Sequence, residues 1–198
     1  MTTYGTTTRE TTTANPTEGS TTGTSTPAPG ARERADLLET LATHRHFLRY
    51  TARDLTDEQA RRRTTGSELC IGGLIKHVSA TEREWASFIA EGPDAMGNFT
   101  EMTEADRERR NNEFVLLPGE TLAGVLEEHA ETARRTDALV AELPDLDADH
   151  PLPEAPWFEP GARWSARRVL LHIIAETAQH AGHADIIREA LDGAKTMA

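Results

Sequence analysis

Apolar residues recur at three- and four-residue intervals along four separate stretches of this 198-residue chain, and that spacing constrains the fold more tightly than any other feature of the sequence. Leu37, Leu38, Leu41, Leu48 and Leu55 lay one apolar stripe along a helix predicted over 31–55. The following Thr56-Asp57-Glu58-Gln59 has the Thr-x-x-Gln form of a capping box, which predicts a short helical start ending near Thr65-Gly66-Ser67. Ile71, Leu74, Ile75, Val78, Trp85, Phe88 and Ile89 mark a second long helix over 68–90, stopped by Gly92-Pro93. Leu122, Val125, Leu126, Leu139 and Val140 predict a third over 120–143, ended by Pro144. Ser165 reads as the N-cap of a fourth that runs to about Leu191 and closes on Asp192-Gly193.

The connections between these helices are long. Residues 94–118 read as an irregular segment with a short helix near 103–111, and loops of that length between rigid elements often carry specificity. Residues 144–163 contain Pro144, Pro151, Pro153, Pro156 and Pro160, which forbid regular helix, and also Trp157 and Phe158. No strand is expected. Four long helices with such connections predict an all-α chain, a four-helix bundle with long crossover connections.

Composition narrows the function. Residues 1–30 are dominated by Thr, Gly, Pro and Ser, so ordering them would cost entropy with little burial in return; they are expected to form a disordered tail, with the bundle spanning 31–198. The formal charge is -12, and because the tail carries only Arg9, Glu10 and Glu18, a net -11 falls on the rest. That balance repels phosphate backbones and argues against a nucleic-acid partner. Cys70 is the sole cysteine, which excludes an intrachain disulfide. No stretch approaches the ~20 apolar residues of a membrane span, and the N-terminus lacks the basic and apolar regions of a secretory signal. A soluble cytoplasmic protein without a membrane partner is the expectation.

The chemistry-bearing residues concentrate in the last helix, in His172-Ile173-Ile174-Ala175-Glu176-Thr177-Ala178-Gln179-His180-Ala181-Gly182-His183-Ala184-Asp185. At ~100° per residue, side chains three or four apart share a face, so His172 with Glu176, Glu176 with His180, and His180 with His183 could each grip one ion. Measured from the line joining Val169 and Ile187, Glu176 and His180 lie about 20° to either side, His183 about 40° away and His172 about 60°. Glu176 and His180 thus point most directly inward. A carboxylate aimed into a core needs a partner, and a metal ion is a common one. Two ligands rarely suffice. His77, on the flank of the second helix's stripe, is the best third candidate, with His44 and His129 as rivals that also extend apolar seams; each taken alone reads more readily as a hydrogen-bonded interior histidine than as a ligand.

The Gly73-Leu74-Ile75-Lys76-His77 segment with Glu82-Arg83-Glu84-Trp85, the Trp164-Ser165-Ala166-Arg167-Arg168-Val169-Leu170 segment, and the Glu176 to Asp185 run together resemble the DinB-like superfamily over roughly residues 31–195. The likeness is strongest to an actinobacterial branch of metal-binding proteins. It implies a four-helix bundle holding a divalent ion through one histidine of the second helix and a His-x-x-x-His pair of the fourth. Here Glu176 replaces the first histidine of that pair, as in mycothiol-dependent maleylpyruvate isomerase, a relative on the same fold. The resemblance therefore implies His77, Glu176 and His180 as the metal ligands. That donor set suits zinc, and iron, nickel and manganese accept the same donor types.

The resemblance further implies an enzyme in which the ion activates a low-molecular-weight thiol, mycothiol, for S-transfer to, or isomerisation of, a small electrophilic substrate. A hydrolase that activates water, and a non-catalytic metal-binding, small-molecule-binding or resistance protein, are the alternatives. Members of the superfamily often dimerise, so a homodimer is an expectation. His183, one turn beyond His180, is the candidate acid/base or substrate contact. Asp185 could orient a ligand, although a solvated aspartate is an equal reading. Cys70 reads as a small core residue rather than a nucleophile. Trp85 and Trp164 read as core, and Trp157 and Phe158 as the pocket mouth.

Overall fold

The computed structural model describes residues 30–97 and 99–196, so the tail expected over 1–30 lies, Gly30 apart, outside the described residues. Four long helices dominate it: α1 (Ala31–Thr51), α3 (Ile71–Glu91), α5 (Leu122–Glu142) and α6 (Ala166–Asp192). Two shorter ones, α2 (Asp57–Arg61) and α4 (Glu104–Glu113), sit in the connections. The all-α bundle is as expected, and the helix ends have the chemistry expected of them. Thr56 Oγ1 accepts from the Gln59 N–H at 3.2 Å while Gln59 Oε1 accepts from the Thr56 N–H at 2.9 Å, completing the capping box of α2. Ser165 caps α6, and Gly92 and Gly193, both at positive φ, end α3 and α6.

Helix α1 stops four residues short of its predicted end. Asp54 takes a left-handed φ of 59°, and the Arg188 guanidinium donates to the carbonyls of Thr51 and Arg53 at 2.7 Å each, so α6 supplies the partners that the last turn of α1 lacks. The proline-rich segment also departs from expectation. Residues Asp149–Pro151 (β1) and Arg163–Ser165 (β2) pair antiparallel, with His150 opposite Trp164. Three residues are too few to leave an alternation in the sequence, and Pro151 is tolerated because it sits at the end of a two-stranded ribbon.

Helix α1 packs along α6, α6 along α3, and α3 along α5. Their apolar stripes form two clusters. One contains Leu48, Ile71, Leu74, Ile75, Val78, Leu122, Val125 and Ile187; the other contains Leu41, Trp85, Phe88, Val140, Val169, Leu170 and Ile173. Each of the large aliphatic groups, fully buried, contributes about 1.5–3 kcal/mol. Between the clusters every long helix buries polar groups: Arg45 on α1, Ser79 and Glu82 on α3, His129, Thr132 and Thr136 on α5, Thr177 and His180 on α6. A polar belt thus crosses the middle of the bundle.

His129 belongs to that belt without the hydrogen bond expected of an interior histidine. It is 1% exposed, and neither ring nitrogen has a partner among the described residues. Burial, with the nearby Arg45 and Arg49 charges, lowers its pKa from the usual 6.5 to about 4. The unfolded chain therefore binds a proton that the folded one refuses between those values. Stability should fall by about 3 kcal/mol as the pH drops from 6.5 to 4. Urea unfolding across that range, compared with His129→Gln, checks it: the variant should lose this part of the slope, and an unchanged slope would exclude His129 as its source.

Candidate metal centre

His77 from α3 and Glu176 and His180 from α6 meet at the seam between the two apolar clusters. One donor atom from each lies within 4.8 Å of the other two, an arrangement that could hold a metal ion. His180 is buried, and the other two are partly exposed. His180 Nε2 stands 3.5 Å from Glu176 Oε2. A hydrogen bond from His180 holds the Glu176 carboxyl below the usual carboxylate range against the opposing effect of burial, so Glu176 is charged at neutral pH.

Each imidazole is braced on its other side. His77 Nδ1 lies 3.4 Å from Glu113 Oε2, and Phe114 stacks on the His77 ring with centroids 3.9 Å apart. Both neighbours come from the end of α4, in the long connection between α3 and α5. Gly73 admits that connection, because a Cβ there would stand 1.9 Å from the Phe114 carbonyl oxygen. His180 Nδ1 lies 3.4 Å from His183 Nδ1, on the nitrogen opposite the one facing Glu176. In His180 this leaves Nε2 toward Glu176, the pattern in which an outer partner fixes a ligating ring, whereas His77 Nε2 lies 3.5 Å from Thr81 Oγ1 on its own helix.

A pocket of about 260 Å³ adjoins the cluster, with His77 and Glu176 on its wall. Trp85, Phe99, Trp157 and Phe158 supply its apolar lining, and Glu84, Arg110 and His172 its polar groups. Burial raises the Glu84 carboxyl above the usual range, while Arg110, 3.6 Å away, acts against that rise. His172 meets the Trp85 and Trp164 rings edge-on, at 4.9 and 5.2 Å, and burial lowers its pKa.

The structure thus brings together His77, Glu176 and His180 and separates the rivals. His44 is half-buried against Phe47, and His129 lies in the polar belt facing α1. His183 touches His180 but is not among the residues lining the pocket. Asp185 accepts from the Thr196 N–H at 2.7 Å and so tethers the C-terminal segment. Cys70 caps α3, its sulfur accepting from the Gly73 N–H at 3.4 Å. Trp85 and Trp164 stack on one another at 4.8 Å, and Trp157 and Phe158 do line the pocket. Sequence reasoning missed Glu84, Arg110, Glu113 and Phe114. The signal for Arg110, Glu113 and Phe114 was the length of the connection that holds them, and for Glu84 its place in the Glu82 to Trp85 segment.

Among the described residues no helix is long and apolar enough to cross a membrane. No curated protein matches the chain significantly. The model of one protein family, described as mycothiol-S-transferase, matches residues 36–193, which include most of α1 and all of α3, α5 and α6, in agreement with the DinB-like resemblance. The chain belongs to the mycothiol-S-transferase family and, with it, to the mycothiol-related transferases.

Proposed function

We propose that this chain is a divalent-metal-dependent thiol transferase that joins mycothiol to a small electrophile. The observation that carries the reading is the convergence of two imidazoles and a carboxylate from two helices within 4.8 Å, beside an aromatic-lined pocket. A carboxylate and two imidazoles suit zinc and leave a coordination position free for a thiol. Once bound, the ion would stabilise the thiolate over the thiol near neutral pH.

The protein's own groups do the rest. Glu113 and His183 fix the rings of His77 and His180, so we assign His183 to positioning rather than proton transfer. The aromatic lining of the pocket excludes water and holds the apolar body of the electrophile beside His77 and Glu176. Glu84, its carboxyl raised by burial, is the group on the wall suited to take the thiol proton. Sulfur then forms a bond to carbon as the leaving group departs with its electron pair.

Mycothiol and 1-chloro-2,4-dinitrobenzene test this directly. The protein should form the conjugate with release of chloride, lose at least ~100-fold of the rate on chelation and regain it with zinc. An equal rate in the chelated protein would contradict metal dependence, and tight thiol binding without conjugate would place the chain among non-catalytic binders.

A further inference from the structure

Helix α3 opens on Ile71-Gly72-Gly73, although a glycine inside a helix costs stability relative to alanine. Both glycines admit neighbouring chain. A Cβ at Gly72 would stand 3.0 Å from Leu116 Cδ2, and one at Gly73 1.9 Å from the Phe114 carbonyl oxygen. Residues 114–120, from the connection of α4 to α5, therefore lie directly on the first turn of α3.

That segment is tied down at several points. Leu116 is 2% exposed, in the apolar cluster of Ile71 and Leu74. From α2, the Arg61 guanidinium donates to the carbonyls of Leu116 and Leu117, at 3.2 and 3.4 Å, and to that of Glu120. The Glu120 carboxylate in turn accepts from the Leu117 N–H and from Lys76 Nζ of α3, at 2.7 Å each. With three carbonyls, one N–H and one carboxylate engaged, the segment has few conformations left to sample. At its start stands Phe114. Its ring stacks on His77 with centroids 3.9 Å apart and meets His180 edge-on at 6.4 Å, so one side chain faces the imidazoles of both α3 and α6.

We propose that residues 114–120 are a positioning strap for the metal centre: Arg61 and Glu120 fix the loop, and the loop holds Phe114 against His77 so that the imidazole is aligned before an ion arrives. This rests on the reading of His77 as a ligand. Arg61 and Phe114 are not among the residues lining the adjoining pocket, and they act through His77 alone. A ring stacked on one face of His77 removes the side-chain orientations that swing to that side, and alignment made in advance raises affinity without adding a donor. A strap that only filled the core would change stability and leave metal affinity alone.

The test uses the full-length protein freed of metal, with zinc affinity measured by competition against a chromophoric chelator and folding followed by urea unfolding. Phe114→Leu keeps apolar volume but loses the flat face, and should weaken zinc binding about 10-fold, as for a partner outside the ligand set. Phe114→Tyr should restore wild-type affinity. Arg61→Met should weaken binding less, and the Arg61→Met, Phe114→Leu double variant should bind no more weakly than Phe114→Leu, because both changes act through one contact. Without any ion, NMR of the wild type should find the His77 ring protons moved upfield by the Phe114 ring, and Phe114→Leu should return them. Wild-type zinc affinity in Phe114→Leu, losses that multiply in the double variant, or His77 protons that Phe114→Leu does not move would each overturn the strap while leaving the ligand assignment in place. A wild type that binds no zinc would overturn both.

Discussion

Replacing Glu82 with alanine should destabilise the protein by about 3–5 kcal/mol, the cost of breaking a buried ion pair from one side. Arg45 and Glu82 are 4% and 1% exposed, and the Arg45 Nε donates to Glu82 Oε2 at 3.0 Å while Nη2 donates to the second carboxylate oxygen. Without Glu82, two faces of the guanidinium would remain in the core with no acceptor, and only Nη1 would keep its bond to Asp137 at 2.8 Å. The variant's melting temperature should drop by roughly 10 °C. An Arg45→Met, Glu82→Leu double variant removes both charges and should recover most of the loss, since apolar groups of similar volume can replace a buried pair. Chemical denaturation of the three proteins is the measurement. A Glu82→Ala variant within 1 kcal/mol of wild type would contradict the expected cost of stranding the Arg45 charge in the core.

That pair was invisible in the sequence, although two members of the polar belt around it, His129 and His180, read as inward-facing. Leu41 and Leu48 flank Arg45 at four- and three-residue spacing, so the periodicity that located α1 also gives the arginine a position on the inner face. Spacing, however, says nothing of which opposite charge waits on a helix 37 residues away. The helices themselves were legible because their stripes and caps are local: Thr56 with Gln59, Ser165, Gly92 and Gly193 all mark ends where they were expected. The β1–β2 ribbon was not, because its pairing joins residues twelve to sixteen apart through a proline-rich loop.

The candidate site divides along the same line. Glu176 and His180 lie one turn apart on a single helix, and the angle from the Val169–Ile187 line selects them over His172 and His183. His77 required a choice among three histidines on three helices, which only the tertiary packing of α3 on α6 decides. Glu113 and Phe114 reach His77 because Gly73 lets a loop backbone approach α3, and one glycine among fourteen does not announce such a contact. His129 points the other way: its inward position was legible, but the absence of a partner was not.

Metal binding is where the largest effects are expected. His77→Ala, Glu176→Ala and His180→Ala should each weaken affinity by more than ~100-fold, since loss of a partner outside the ligand set already costs 10–100-fold. Glu113→Gln, which leaves all three donors in place but removes the carboxylate 3.4 Å from His77 Nδ1, should fall in that milder range. Glu176→Gln keeps the side chain's shape and discards its charge, so it should weaken binding without unfolding the bundle. His172→Ala, which removes a ring packed edge-on against Trp85 and Trp164 and none of the three donors, should keep its metal.

The most direct measurement is therefore the divalent metal content per chain of the purified protein, by elemental analysis, beside those of His77→Ala, Glu176→Ala, His180→Ala and His172→Ala. We expect about one ion per chain in the wild type and in His172→Ala, and almost none in the three ligand variants. Full metal content in all three, or none in the wild type under conditions that supply zinc, iron, nickel and manganese, would contradict the assignment of His77, Glu176 and His180 as a metal centre.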